Sequence, residues 1–209
     1  MKRSILVVFI FSILFITACS TSEKYPYEHV GIYDTKTKQY IDIGDSKDKV
    51  DKILGPGTKD GNSYYDYDDI LSMRFDDNDN VESIHIYFDW FPDEGENERY
   101  ALADGTDYNT TITEFISKYK HVYEGAFILP DSAVSVILQN KNGKLILPDL
   151  DDIKKNSQNI TTFQNEQNND DIYVISIDYV AYDNLSSFDI EKIEYPSFEN
   201  WDNFKKIES

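Results

Sequence analysis

Regular alternation of apolar and polar residues between positions 65 and 90 constrains the fold more than any other feature of the chain. Leu71, Met73 and Phe75 alternate with polar residues, and the alternation resumes after the turn-forming segment 76–80 (DDNDN). In this second run the apolar residues that share one face are Ile84, Ile86, Phe88 and Trp90. Period-two runs joined by turn residues are typical of antiparallel strands with one buried face. The sequence therefore predicts a β-meander.

A short helix is predicted before the meander, in the segment 41–57 (IDIGDSKDKVDKILGPG). Asp45 or Ser46 can cap its N-terminus by accepting hydrogen bonds from backbone N–H groups that have no partner inside the helix. The apolar residues spaced for one helix face are Val50, Ile53 and Leu54. Gly55 can adopt the left-handed conformation that ends a helix, and Pro56 cannot continue one.

The second half of the chain repeats this order of a helix followed by strands. Thr111 and Glu114 have the spacing of a capping box, at the start of a helical apolar pattern that runs to Tyr119. Strands are predicted at 133–139 and 144–147, because the segment 140–143 (NKNG) between them favours a hairpin turn. The shared order suggests an internal duplication.

The remaining segments of the second half are less regular. Residues 148–171 are rich in Asn, Gln and Asp and are interpreted as a long polar loop. The last clear strand is predicted from Ile172 to Tyr182. The tail carries three spaced aromatic residues that predict a short closing helix: Phe198, Trp201 and Phe204.

The segment from Ile43 to Pro56 resembles the I-G-x-S-x-x-x-V-x-x-x-L-G-x-P motif of one superfamily. That superfamily contains the β-lactamase inhibitory proteins and the small lipoproteins of the outer-membrane β-barrel assembly machine. The segments 64–67 (YYDY) and 73–84 (MRFDDNDNVESI) also fit it, although the proline follows Gly55 one position early. The resemblance implies an α+β fold in which a helix packs on an antiparallel sheet, with two such units in tandem.

This resemblance sets the expected units at 39–92 and, in divergent form with an insertion at 148–171, at 106–209. Its good match covers residues 41–90, about a quarter of the chain. The motif consists of residues that cap, pack and end a helix, so it identifies a scaffold and transfers no catalytic residue.

The N-terminus has the features of a bacterial lipoprotein signal. Lys2 and Arg3 precede an apolar run from Ser4 to Ile16, which is shorter than the roughly 20 residues that a membrane-spanning helix needs. The segment 16–19 (ITAC) resembles a lipobox, and Cys19 is the single cysteine of the chain. The resemblance implies cleavage of residues 1–18 and attachment of a diacylglycerol, usually with a further acyl chain such as palmitate, at Cys19. We expect a tether at 19–38 and a location on the extracytoplasmic face of the cell membrane.

The charge of the chain narrows the class of partner. Removal of residues 1–18 leaves 18 basic and 39 acidic side chains, a formal charge of −21. Such a protein repels nucleic-acid phosphates and anionic headgroups. We therefore expect no nucleic-acid partner, a body held away from the membrane by its tether, and an extracytoplasmic protein as the partner. The acidic surface is either a solvated face or a patch for a basic partner.

No motif of catalysis or of cofactor and metal binding is present. His29, His85 and His121 lack metal-type spacing, and we interpret His85 as a surface residue. The segment that starts at Asp76 matches the first positions of a calcium loop, but Val81 stands where that loop requires glycine. We expect a hairpin turn there, no cofactor and no metal.

The predicted function is that of a non-enzymatic protein-binding module. Tyrosine and tryptophan commonly anchor protein interfaces. The candidate binding residues on the meander are Tyr64, Tyr65, Tyr67 and Tyr87. Trp90 is expected in the core. The alternatives are an inhibitor of a secreted or envelope enzyme, an envelope assembly factor, and an enzyme that acts on the cell wall.

Overall fold

The computed structural model describes residues 23–60, 63–88, 97–119, 122–124, 133–148, 171–180, 184–193 and 205–207. Several predictions concern residues outside these ranges: the signal peptide 1–18, Cys19, Trp90, His121, most of the polar loop and the closing helix. They stay predictions.

Strands dominate the described residues. In chain order they are β1 (Glu23–Lys24), β2 (Gly31–Asp34), β3 (Gln39–Asp42), β4 (Thr58–Lys59), β5 (Tyr64–Asp66), β6 (Leu71–Phe75), β7 (Val81–Tyr87), β8 (Tyr100–Leu102), β9 (Tyr123–Glu124), β10 (Ala133–Lys141), β11 (Lys144–Leu147), β12 (Asp171–Val180), β13 (Asn184–Ile193) and β14 (Lys205–Lys206). The helices are α1 (Lys47–Leu54) and α2 (Ile112–Lys118).

The strands form two antiparallel sheets. The large sheet has the order β1-β11-β10-β12-β13-β7-β6-β5-β4, with β9 added beside β10 and β14 beside β9. The small sheet has the order β3-β2-β8. The predicted meander is confirmed as β5, β6 and β7, and the predicted hairpin at 140–143 is confirmed as the turn between β10 and β11.

The core lies on one face of the large sheet, where two apolar rows cross five strands. The first row contains Leu71, Ile86, Phe188, Ile177 and Val134. The second contains Met73, Ile84, Ile190, Ile175 and Val136. All ten residues are buried. Burial of an aliphatic side chain contributes about 1.5–3 kcal/mol to folding, so these rows are a main source of stability.

Both helices begin as the sequence predicts. Ser46 caps α1 by accepting a hydrogen bond from the backbone N–H of Lys49, and Gly55 ends that helix with a φ of 90°. Thr111 and Glu114 form the predicted capping box of α2. These signals were readable because a cap depends only on residues that are neighbours in the chain.

The predicted fold class, α+β with a helix packed on a sheet in two tandem units, is wrong. The two helices span only eight and seven residues, whereas strands make up most of the described chain. In addition, β13 pairs with β7, so strands from both expected units belong to one sheet. The reason is that this pairing lies between residues far apart in the chain, where a local motif carries no information.

Part of the predicted tether belongs to the folded body. Residues 23–24 and 31–34 form strands, and three apolar side chains nearby are completely or almost completely buried: Tyr25, Val30 and Ile32. Mixed polar composition suggested a tether, but β2 gains its partners from β3 and β8, which flank it in space.

Candidate functional site

The four candidate tyrosines lie on opposite faces of the large sheet. Tyr65 is opposite Met73 and therefore on the face of the apolar rows, whereas Tyr64 is opposite Arg74 on the other face. Tyr87, at the end of β7, shares the face of Tyr64. The structure thus does not bring the four residues together in one binding surface.

Tyr65 and Tyr67 are half-buried and contact helix α1. The Nζ atom of Lys47 lies 4.7 Å from the centre of the Tyr65 ring, and the Tyr67 hydroxyl donates to Asp51 Oδ1 at 2.9 Å. Burial, followed by this bond to Asp51, raises the pKa of Tyr67. Burial alone would raise the pKa of Asp51, but hydrogen bonds from Lys47 and Tyr67 outweigh it and lower that pKa. These two tyrosines are therefore linked to side chains of α1 and are not free recognition groups.

Tyr64 and Tyr87 flank His85 on the opposite face of the sheet. The Tyr64 ring and the His85 imidazole form a T-shaped pair at a centroid distance of 5.0 Å, and the Tyr87 ring is nearly parallel to the imidazole at 6.3 Å. Tyr87 is 57% exposed, more than any other large hydrophobic residue in the described part of the chain. Together with Asp189 and Glu191 of β13, these residues form a surface that we call the tyrosine–histidine face.

His85 contacts polar side chains of both β7 and β13 in the tyrosine–histidine face. Its Nδ1 is hydrogen-bonded to Asp189 Oδ1, and its Nε2 lies 3.2 Å from Ser83 Oγ and 3.8 Å from Glu191 Oε1. The prediction of a surface histidine is wrong, because His85 is only 7% exposed. The sequence places it on the polar face of β7 but gives no sign of β13, which covers one side of it.

Asp189, His85 and Ser83 are connected in the order carboxylate, imidazole, hydroxyl. Serine hydrolases use the same order to activate a nucleophile. Ser83 is completely buried, however, and a nucleophile must reach the carbonyl group that it attacks. In this conformation the arrangement can fix the position of the imidazole, but the Ser83 hydroxyl cannot contact a substrate.

Acidic groups surround the exposed tyrosine. Burial, followed by the negative charge of Asp189, raises the pKa of Tyr87. Asp178, which accepts a hydrogen bond from Ser187 at 3.0 Å, lies on the same face, and burial raises its pKa as well. The tyrosine–histidine face therefore offers an aromatic ring within a region of negative potential.

A second aromatic cluster was missed because its residues lie in or next to the predicted tether. His29 and Tyr40 are stacked at a centroid distance of 3.9 Å, and Tyr33 lies 4.9 Å from Tyr40. Tyr40 is 36% exposed, and His29 Nδ1 is 2.8 Å from Asp42 Oδ2. Only the pairing of β2 with β3 brings these rings together.

No group of three or more histidine, cysteine or acidic residues in the described ranges could hold a metal ion. In the predicted turn, Asp76 instead accepts hydrogen bonds from the backbone N–H groups of Asn78 and Asn80, both at 2.8 Å. The carboxylate that would start a calcium loop therefore closes the hairpin between β6 and β7. In the part of the chain that the structure covers, no helix has the length and apolar character needed to cross a membrane.

Comparisons with models of known protein families, with curated proteins and with solved structures gave no match.

Proposed function

We propose that the protein is an extracytoplasmic lipoprotein, anchored through Cys19, that binds another protein through the tyrosine–histidine face. The observation that carries the proposal is the exposure of Tyr87 on a strand in the middle of a sheet. Its neighbours on both sides are hydrogen-bonded strands, so the ring is presented on a rigid support.

The anchoring half of the proposal rests on the sequence. A positive start, a short apolar run and the lipobox-like segment 16–19 occur in the required order, and no other cysteine competes for lipidation. Two acyl chains suffice for stable attachment, because each buried CH₂ contributes about 0.8 kcal/mol.

The binding half rests on the character of the face. Tyrosine gives a large contact area at a low cost in side-chain entropy and is enriched at the centres of interfaces. The carboxylates of Asp178, Asp189 and Glu191 surround Tyr87 and favour a partner with basic groups at the contact.

The test of binding is cross-linking and capture from intact cells with three forms of the protein. Tyr87→Ala removes the central ring, whereas Tyr40→Ala removes an exposed ring from the small sheet and serves as the matched control. We expect Tyr87→Ala to lose about 2 kcal/mol of binding, about thirtyfold in affinity, and Tyr40→Ala to capture as the unchanged protein does. Equal capture by all three forms would contradict the assignment of the face.

The test of anchoring uses metabolic labelling with an alkyne fatty acid. The unchanged chain should incorporate the label, and Cys19→Ser should not. Labelling that persists in Cys19→Ser would show that the lipid is attached elsewhere or that the segment is not a lipobox.

A further inference from the structure

The folded body begins very close to the proposed lipid attachment point. Strand β1 starts at Glu23, four residues after Cys19. A chain spans at most about 3.6 Å per residue, so these four residues reach no more than about 14 Å. The expected tether of 19–38 would have allowed about 70 Å by the same rule. The edge of the large sheet that β1 forms is therefore held near the membrane surface.

Three lysines lie together at that edge. Lys24 of β1 is opposite Ile146 of β11, and Lys144 lies two residues from Ile146 on the same face. Lys141 is opposite Lys144 across the hairpin between β10 and β11, so it shares that face too. We call these three residues the basic corner.

The ammonium groups of the basic corner are available to bind an anionic group outside the protein. All three lysines are exposed. None of them takes part in an ion pair with another described residue, whereas Lys47, Lys49, Lys118 and Lys192 do. In a chain with 39 acidic and 20 basic residues, three unpaired lysines on one face of one edge form a local positive region.

Distance separates this region from the acidic part of the sheet. Strand β13, which carries Asp189 and Glu191, is four strands from β1 in the sheet order. At about 4.8 Å per strand the separation is about 19 Å, whereas charges are largely screened beyond about 8 Å at physiological salt. A membrane surface next to β1 therefore lies much closer to the basic corner than to the carboxylates of the tyrosine–histidine face.

We propose that the basic corner docks on anionic lipid headgroups of the membrane in which the Cys19 lipid is inserted. The inference rests on the proposed anchoring at Cys19. Docking orients the large sheet with β1 next to the bilayer and β4 farthest from it. The strand registers place the basic corner and the tyrosine–histidine face on the same face of the sheet, and Tyr87 is separated from the bilayer by the distance of five strands from β1. Each lysine near an anionic leaflet strengthens the contact about fivefold. This revises the expectation that the acidic body is held away from headgroups by a long tether.

Lysine acetylation in vesicles tests the proposal. The lipidated protein is reconstituted in vesicles of phosphatidylcholine alone or of phosphatidylcholine with phosphatidylglycerol, and both are treated with an acetylating reagent. Mass spectrometry then gives the rate at each lysine. We expect severalfold slower acetylation of Lys24, Lys141 and Lys144 in the anionic vesicles only. Lys36 and Lys52, which are exposed elsewhere in the fold, are internal controls and should react equally in both.

Salt and a charge variant sharpen the test. In about 1 M NaCl the screening length falls to about 3 Å, so the protection should disappear. In the variant Lys141→Gln/Lys144→Gln, Lys24 should be acetylated in anionic vesicles as fast as in neutral vesicles. In the control variant Lys36→Gln/Lys52→Gln, Lys24 should still be acetylated slowly in anionic vesicles. Equal rates at the basic corner in neutral and anionic vesicles, with the protein attached to both, would overturn the docking proposal alone. Failure to sediment with either kind of vesicle would overturn the anchoring as well.

Discussion

His85 of β7 and Asp189 of β13 are hydrogen-bonded to each other although 104 residues separate them in the chain. The bond lies at the only place in the described sheet where the strand order passes directly from the second half of the chain to the meander of the first half. A short-range motif cannot specify such a contact between residues that are distant in the chain.

Asp189→Asn should destabilise the protein by about 1–2 kcal/mol, because a charged acceptor on a largely buried imidazole is replaced by a neutral amide. Urea unfolding followed by circular dichroism measures the change. Asp77→Asn, in the exposed turn after β6, is the matched control and should stay within about 0.5 kcal/mol of the unchanged protein. A loss of equal size in both variants would indicate a general charge effect rather than the bond to His85.

Ile190→Ala should destabilise the two halves of the chain together. Ile190 is completely buried and lies between Ile84 and Ile175, so its truncation leaves a cavity that costs about 2–5 kcal/mol. Amide hydrogen exchange should become faster in both β6 and β12. Tyr87→Ala, on the exposed side of the same sheet, should leave both strands protected. Faster exchange in β12 alone would favour independent units, as the sequence analysis expected.

Sequence reasoning succeeded where the structure depends on chain neighbours. The caps at Ser46 and Thr111 and the hairpin turn at Asn142 and Gly143, both with positive φ, follow from local backbone chemistry. The sequence did not predict β13, because the paired serines at 186–187 interrupt its alternation of apolar and polar residues and its partner strands are distant in the chain. It failed for β2 because polar neighbours resembled a tether.

The sequence predicts part of the candidate site, namely which residues of one strand share a face, but not which face is buried. Alternation shows that Tyr64 and Tyr65 point to opposite faces of β5, but only the position of the core decides which of them is exposed. Tyr67 follows the strand and contacts α1 through its hydroxyl, which alternation does not reveal. The role of His85 depends on β13 and could not be read from β7 alone.

The substitution Tyr67→Phe should show whether Tyr67 contributes to the stability of the fold or to binding of the partner. It removes the hydrogen bond to Asp51 while keeping the ring, so we expect a loss of about 1 kcal/mol in stability. Capture of the partner should be unchanged after correction for folding. Tyr64→Phe, on the tyrosine–histidine face, is the matched control for stability and should change it little. Reduced capture with unchanged stability in Tyr67→Phe would place the binding surface on the helix side of the sheet.

Acid sensitivity should arise in part from Asp34, which is completely buried in β2. Its carboxylate accepts hydrogen bonds from Arg99 Nε at 3.2 Å and from Thr37 Oγ1 at 2.9 Å. Burial alone would raise the pKa of Asp34, but these bonds and the charge of Arg99 outweigh it and lower that pKa. A lowered pKa in the folded state means that the ionised carboxylate stabilises the fold. This contribution is complete above the unfolded pKa of about 3.9 and is lost as the pH falls through the lower folded value.

Asp34→Asn should therefore be less stable than the unchanged protein by about 2 kcal/mol at pH 7, since a buried charged acceptor for Arg99 is removed. The difference should shrink as the pH falls below about 4, because protonation then removes the same charge from the unchanged protein. Urea unfolding over a series of pH values measures both. Asp69→Asn, an exposed carboxylate before β6, should show neither the loss at pH 7 nor the convergence in acid. A difference between Asp34→Asn and the unchanged protein that stays constant down to about pH 2 would contradict a lowered pKa for Asp34 and would assign its effect to hydrogen-bond geometry instead of charge.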